Sequence, residues 1–317
     1  MKSQTVCLIG GSGFVGRHVA NMLCGQGLAV RIPTRHRELV KSELILLPTA
    51  EVIEANINDP QVLAKLMTGC DAVINLTGIL HETSKGDFQR VHSDLTRKIV
   101  DVCRTNDVRR LVHVSALKAG HDAPSEYLRS KAAGEQQIRA AEASMVQTTI
   151  FRPSVIFGHD DSFLNLFAKL ADLTPIIPLA CPDARFQPIF VEDVARAIVN
   201  SLDETRSFSR TFELCGPKVY RLRDLVAYVC TIRGLRRSIV PLSARLSYLQ
   251  ASILEHLPGR LMTRDNLRSM QVDNVCDGAF PGMFGLEPRA LETVVPGYLA
   301  MDRPDPRNNS YQLRVRR

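Results

Sequence analysis

The chain has 317 residues, 45% of them hydrophobic and 23% charged, with a formal net charge of +7 at pH 7. These values are ordinary for a globular protein and suggest one large α/β domain, or one plus a small lobe. No apolar run approaches the ~18 residues of a membrane span, the first residues carry no signal-peptide pattern, and no basic stretch interleaved with aromatics points to nucleic acid.

The first element is the most informative. Thr5 to Gly16 reads TVCLIGGSGFVG. A buried strand (Val6, Leu8, Ile9) runs into Gly10, Gly11, Ser12 and Gly13, and a helix opens over Phe14, Val15 and Gly16. Glycine suits this turn for three reasons: its unusual φ/ψ, close approach of backbone to a pyrophosphate, and tight helix–strand packing. The helix N-terminus then offers free N–H groups and a positive dipole end to phosphates. A strand before the motif and a helix after it are the context in which it signifies dinucleotide binding. The plainer reading is an ordinary glycine-rich strand–helix turn.

The second strand, Leu28 to Ile32, ends at Pro33-Thr34-Arg35-His36-Arg37, and the first 37 residues hold no Asp or Glu. An acid at this place favours NAD(H), and an arginine favours the 2′-phosphate of NADP(H). Arg35 and Arg37 stand there, so NADP(H) is the expected cofactor and NAD(H) the alternative. A solvated basic turn is the bland reading of the same residues.

Strands are expected over 5–10, 28–33, 50–55, 71–75, 110–114 and 147–151, and helices over 14–26, 37–46, 60–68, 88–106 and 126–144. This alternation predicts a doubly wound parallel Rossmann sheet, its strands apolar throughout because both faces are covered. After residue 152 the prolines at 153, 175, 178, 182 and 188 predict loops. Helices resume over 191–203, 222–233, 243–257, 263–270 and 289–294. The expected division is a dinucleotide-binding core (1–151), a partly interleaved, mostly helical C-terminal lobe for substrate or partner (152–302), and a basic tail (303–317). The eight cysteines are scattered without a C-x-x-C, which predicts buried reduced thiols in a reducing compartment and no metal site.

Residues 231–317 hold 13 Arg and 8 acids, and the chain ends LRVRR. Such an end either solubilises or touches an acidic surface. Within 243–257, Leu246, Leu249, Ile253, Leu254 and Leu257 form an apolar stripe. The stripe reads as core or as a cover over a substrate pocket, with a membrane-surface role, supported by Arg245, Arg260, Arg264 and Arg268, as the alternative.

Tyr127 and Lys131 form a Y-x-x-x-K on one helix face, where an ammonium can lower the phenol's pKa and make it an acid/base. Alone, the pattern usually marks two exposed residues. Taken with the glycine loop, Asn75-Leu76-Thr77-Gly78 and Ser115, it resembles a short-chain dehydrogenase/reductase, and RPSVIFG (152–158) and FVEDVA (190–195) resemble the extended and atypical branches. VHVSAL, YLRSKAAGE, FGHDDSFLNLFA and RFQPIFVEDVA are similar to the nucleotide-binding accessory subunit of respiratory complex I and its bacterial relatives, a likeness that continues through DNV, GLEP and VPGYL.

The resemblance implies that residues 10–16 wrap the pyrophosphate and Arg35 holds the 2′-phosphate. Asn56 and Ile57 would lie beside adenine, and Leu76, Thr77 and Gly78 beside the adenine-side ribose. Lys131 would bond the nicotinamide ribose, with Pro153, Ser154 and Val155 beside the nicotinamide amide. Two departures stand out. Asn56 occupies a position that is usually aspartate. Leu117 and Lys118 occupy the zone of the catalytic hydroxyl, and Ser115 lies only 12 residues before Tyr127. A missing hydroxyl weakens stabilisation of transition-state charge.

Two functions follow. The first is a nucleotide-holding component attached, through the C-terminal lobe or tail, to a respiratory or quinone-related membrane complex. The second is an active NADP-dependent reductase, epimerase or dehydratase acting on a sugar-nucleotide, sterol or quinone-like substrate, with Tyr127, Lys131 and Ser115 as its catalytic group. The expected location is the cytoplasm or, peripherally, the cytoplasmic face of the inner membrane (the matrix side in an organelle).

Overall fold

A computed structural model describes residues 4–44, 46–142, 146–256 and 261–300. The first half alternates as expected: β1 Thr5–Ile9, α1 Phe14–Gly25, β2 Ala29–Thr34, α2 Arg37–Leu44, β3 Ala50–Glu54, α3 Pro60–Met67 and β4 Ala72–Asn75. A wide π-type turn, Gln89–Asp94, leads into α4 Leu95–Thr105, followed by β5 Arg110–Val114, α5 Glu126–Glu142 and β6 Gln147–Pro153. The second half holds β7 Ile156–Phe157, α6 Leu164–Leu173, β8 Ile176–Leu179, β9 Arg185–Phe186, β10 Ile189–Phe190, α7 Val191–Asn200, β11 Arg210–Leu214 and β12 Tyr220–Arg221. It closes with α8 Leu222–Ile232, β13 Ser238–Pro241, α9 Ala244–Leu254, α10 Arg264–Ser269 and α11 Leu291–Leu299.

Seven strands form one parallel sheet in the order β11-β6-β5-β4-β1-β2-β3. The strand order reverses between β1 and β4, which opens a crevice at their carboxyl ends. Alternate residues of β1 feed opposite layers. Val6 and Leu8 pack with α1 and α7, while Cys7 and Ile9 pack with α3, α4 and α5. A further core joins Phe157, Leu164, Leu179, Leu225, Val229 and Val295 in the second half.

Several expectations change. The seventh strand, β11, comes from a stretch where the sequence showed none, because its RTFEL has one fully apolar face only. The proline-rich region holds four short strands, each of two to four residues and paired outside the main sheet, so Pro178 costs no central ladder bond. Cys215 and Cys276 form a disulfide across 61 residues, whereas Cys7, Cys24, Cys70, Cys103 and Cys230 are buried free thiols. The α9 stripe is not core. Leu246, Leu249 and Ile253 are 52%, 57% and 57% exposed, and the helix instead buries Ser247 and Ala251, small residues that let it lie close against Ala180 and Leu267. Leu257, Arg260 and the 303–317 tail lie outside the described residues. No helix among the described residues is long and apolar enough to cross a membrane.

Arg110 fastens β11 and α7 to the sheet. It is buried, and its guanidinium donates to Thr149 Oγ1 and Ser201 O (both 2.7 Å), Gln147 O (3.0 Å) and Leu202 O (3.3 Å), with the Phe208 ring 4.6 Å away. Truncation strands several buried carbonyls. Arg110→Ala should lower unfolding free energy by about 3 kcal/mol in urea, and Arg110→Lys should recover only part, because lysine lacks the fork. An unchanged midpoint would contradict this anchoring.

Candidate nucleotide site

The turn after β1 leaves no room for side chains. Gly10 has φ +82°, and a Cβ there would lie 3.1 Å from the Leu76 carbonyl carbon. A Cβ on Gly16 would drive into the Gly10 carbonyl and the Gly11 backbone, so α1 sits flush on the turn. Gly13 caps α1 without a side-chain bond, and no acid lies in the first turn. That helix end therefore keeps its donors and positive potential for an anion.

The other expected residues line the same carboxyl edge. Arg35 and Arg37 stand exposed after β2, and no described residue bonds either guanidinium; Glu54 accepts only the Arg37 backbone N–H, at 3.2 Å. Beyond β3, Asn56 is exposed and its Oδ1 accepts from Asn58 N–H at 3.1 Å, while Ile57 leans on the core. After β4, Leu76 N–H donates to Ile9 O at 2.9 Å, and Asn75 Oδ1 accepts from the Thr77 N–H and hydroxyl at 3.1 and 2.6 Å. A Cβ on Gly78 would lie 2.9 Å from Lys131 Nζ.

Lys131 reaches this edge from α5. Its Nζ donates to Val114 O at 3.2 Å and Thr77 O at 3.3 Å, and burial lowers its pKa to about 8. Tyr127, one turn earlier, does not behave as the sequence suggested. The ammonium was expected to draw the phenol down, but burial pushes it up to about 12, and Lys131 gives its protons to carbonyls. The Tyr127 ring meets Phe88 and His92 edge-on, with centroids 6.0 and 5.7 Å away.

His92 carries no sequence motif, yet it organises this corner. Its Nε2 accepts from Ile79 N–H at 3.1 Å, which leaves the proton on Nδ1 for Ser130 Oγ at 2.8 Å; Ser130 Oγ in turn donates to Tyr127 O at 2.8 Å. Burial and then the Lys131 charge hold its pKa down to about 2, so the ring stays neutral. The π-type turn delivers His92 against α5, where Gly134 provides the space: a Cβ there would strike the His92 carbonyl. Asp265 of α10 caps α5, accepting from Glu126 and Tyr127 N–H at 2.8 and 3.0 Å. A cleft of about 420 Å³ lies alongside, lined by His81, Phe88, Glu126, Arg264 and Asp265 among others.

The zone expected to lack a catalytic hydroxyl is filled. Ser115 is buried, and its Oγ has no bonding partner among the described residues. Leu117 is fully buried with its N–H on Pro153 O at 3.0 Å, and Lys118 Nζ reaches Asp277 Oδ1 at 2.8 Å. Ser154 and Val155 are gripped by Asn274, whose Oδ1 accepts from Ser154 Oγ at 2.6 Å and Val155 N–H at 3.0 Å. Asn274 lies in the DNV segment, a recognisable word whose bonding role no spacing rule reveals. Among the described residues, no group of His, Cys, Asp or Glu is set to hold a metal.

A glycine cradle at the β1/β4 switch point and a bare helix N-terminus fit a dinucleotide pyrophosphate. The chain belongs to the NAD dependent epimerase/dehydratase family, whose model matches residues 6–215. It is a nicotinamide-nucleotide-binding protein with the Rossmann fold of that family. Its fold is shared by a UDP-glucose 4-epimerase of Thermotoga maritima solved with UDP-glucose (14% identity, TM-score 0.71, covering 94% of this chain and 97% of the other). By sequence it is similar to the mouse mitochondrial NADH dehydrogenase [ubiquinone] 1 alpha subcomplex subunit 9, at 31% identity over 90% of this chain and 77% of that protein. It is also similar to a ceramide reductase of Caulobacter vibrioides, at 32% identity over 61% of this chain and 59% of that protein.

Two outcomes check the site. Gly16→Ala should abolish nucleotide binding in calorimetry while the fold survives, since its Cβ meets the phosphate turn itself. The second concerns Lys131. The unfolded chain holds this proton more tightly than the folded one, so its contribution to stability grows as pH rises from about 8 to 10.5. Over that interval the stability difference between wild type and Lys131→Met should move in favour of wild type by up to roughly 3 kcal/mol. A pH-independent difference would contradict a charged lysine buried in this corner.

Proposed function

We propose that the protein holds NADP(H) as a structural component of a membrane-associated respiratory complex rather than turning over a substrate. The observation that carries this reading is how the zone beside Tyr127 is filled. Ser115 is buried, Leu117 is fully buried, Lys118 is tied to Asp277, and the Tyr127 phenol is pushed up rather than down. A bound nicotinamide would bring hydride chemistry, but little here would polarise a substrate carbonyl. The name of the mouse relative, a mitochondrial NADH dehydrogenase [ubiquinone] subunit, supports the same reading.

In this account residues 10–16 bind the pyrophosphate and Arg35 the 2′-phosphate. Asn56 and Ile57 border adenine, Leu76 to Gly78 and Lys131 the riboses, and Pro153 to Val155 the nicotinamide. Attachment runs through the exposed leucine face of α9, flanked by Arg245, with the 303–317 tail as a second basic contact. The location is then peripheral, on the cytoplasmic face of the inner membrane or the matrix side of an organelle. The ceramide reductase relative favours the second reading, an NADP-dependent reductase working through Tyr127 and Lys131.

NADPH should bind at least about tenfold more tightly than NADH, and Arg35→Asp should erase the difference, because a charge-assisted bond to phosphate is worth roughly 1.5–3 kcal/mol. Equal calorimetric affinities for the two would remove the NADP(H) assignment. Tyr127→Phe should leave both NADPH binding and cellular function intact. Loss of function with binding preserved would favour the reductase.

A further inference from the structure

Residues 273–277, Asp-Asn-Val-Cys-Asp, run as a strap past the carboxyl ends of β6 and β11. Asn274 pairs its backbone with the stretch around β9, donating to Arg185 O at 2.8 Å and accepting from Gln187 N–H at 3.0 Å. Its side chain holds Ser154 and Val155 at 2.6 and 3.0 Å. Two residues on, Cys276 is bonded to Cys215, the residue after β11, and its N–H donates to Gln187 Oε1 at 3.1 Å. Asp277 receives Lys118 Nζ at 2.8 Å and donates its own N–H to Glu213 Oε2 at 3.0 Å. One short segment thus touches the loop after β5, the exit of β6 and the end of β11.

Placement in the sheet says what the strap borders. A dinucleotide centred on the turn after β1, with one nucleoside toward Arg35 and β2, extends its other nucleoside across the switch point, over the ends of β4, β5 and β6. Ser154 and Val155 form the far wall of that half. Apart from the covalent bond, the strap is tied among the described residues by hydrogen bonds and two exposed ion pairs, Lys118–Asp277 and Arg185–Asp273. Cys215 is buried, but Cys276 is partly exposed, so the bond is open to attack from one side. The chain otherwise keeps its buried cysteines as thiols. In such a setting, an accessible disulfide is usually redox-sensing rather than structural.

We propose that this strap sets the nicotinamide side of the site, with Asn274 as its positioning residue, and that the Cys215–Cys276 bond governs how firmly the cofactor is held. The inference rests on the nucleotide-holding reading above. A small dithiol breaks the Sγ–Sγ bond by exchange. It gives up two electrons and two protons, closes to its own cyclic disulfide, and leaves Cys215 and Cys276 as thiols. The freed strap then opens more often and releases Ser154 and Val155.

The test measures NADPH and 2′,5′-ADP binding to the full chain by calorimetry, before and after dithiothreitol. 2′,5′-ADP carries the adenosine phosphates but no nicotinamide half. Reduction should weaken NADPH about tenfold, the size of one lost hydrogen bond of ordinary strength, and leave 2′,5′-ADP unchanged. Cys215→Ser/Cys276→Ser should bind NADPH as weakly with or without dithiothreitol. Asn274→Ala should show the same selective loss, and Asn274→Asp, which keeps the acceptor oxygen, should restore most of it. Equal NADPH affinity in oxidised and reduced wild type overturns the proposal, as does a parallel loss of 2′,5′-ADP, which would mean general loosening. If neither ligand binds the oxidised wild type, the nucleotide-holding reading fails, and this inference with it.

Discussion

The contact between the Gly10–Gly16 turn and its neighbours is the constraint on which the site depends. Hydrogen is the only substituent that fits at Gly16, because the helix rests on the Gly10 carbonyl and the Gly11 backbone. Gly10 must also lie close to Leu76 and Thr77, the exit of β4. These approaches bring β1, α1 and β4 together at the one place where strand order reverses. Everything else on the carboxyl edge is positioned relative to that crevice, Arg35 on one side and Lys131 on the other.

The two halves of the edge differ in character. The side toward β2 is open and cationic, with the Arg35 and Arg37 guanidiniums exposed and bonded by no described residue. On the side toward β5 and β6 most polar groups bond to the protein itself, although the buried Ser115 hydroxyl has no partner among the described residues. Neutral His92 links Ile79, Ser130 and Tyr127, Lys131 bonds carbonyls, and Asn274 occupies the donors of Ser154 and Val155. Catalytic sites tend to keep a poised proton donor within reach of substrate. Here burial moves the Tyr127 phenol away from neutrality, to about 12, and keeps the Ser115 hydroxyl from the surface. That contrast suits retention of a nucleotide better than turnover.

The sheet was legible for a physical reason. Strands buried on both faces must be apolar along their length, so β1, β4 and β5 stand out as Val, Ile and Leu runs between helices. The glycine turn and the arginines after β2 were legible because their chemistry is local. β11 was not, since its RTFEL mixes exposed and buried positions and pairs with a strand far back in the chain. The same holds for His92, Asp265, Asn274 and the Cys215–Cys276 pair, which act over long separations. The α9 leucines illustrate a different limit. Periodicity shows that residues share a face, but small Ser247 and Ala251 on the other face decided which side was buried.

We infer that this fold retains its nucleotide rather than exchanging it. The most direct measurement is to purify the protein without added cofactor, denature it, and identify and count the released nucleotide by mass spectrometry. Retention should give NADP(H), near one per chain, surviving extended dialysis. Empty protein, or bound NAD(H) lost within a single dialysis, would contradict it.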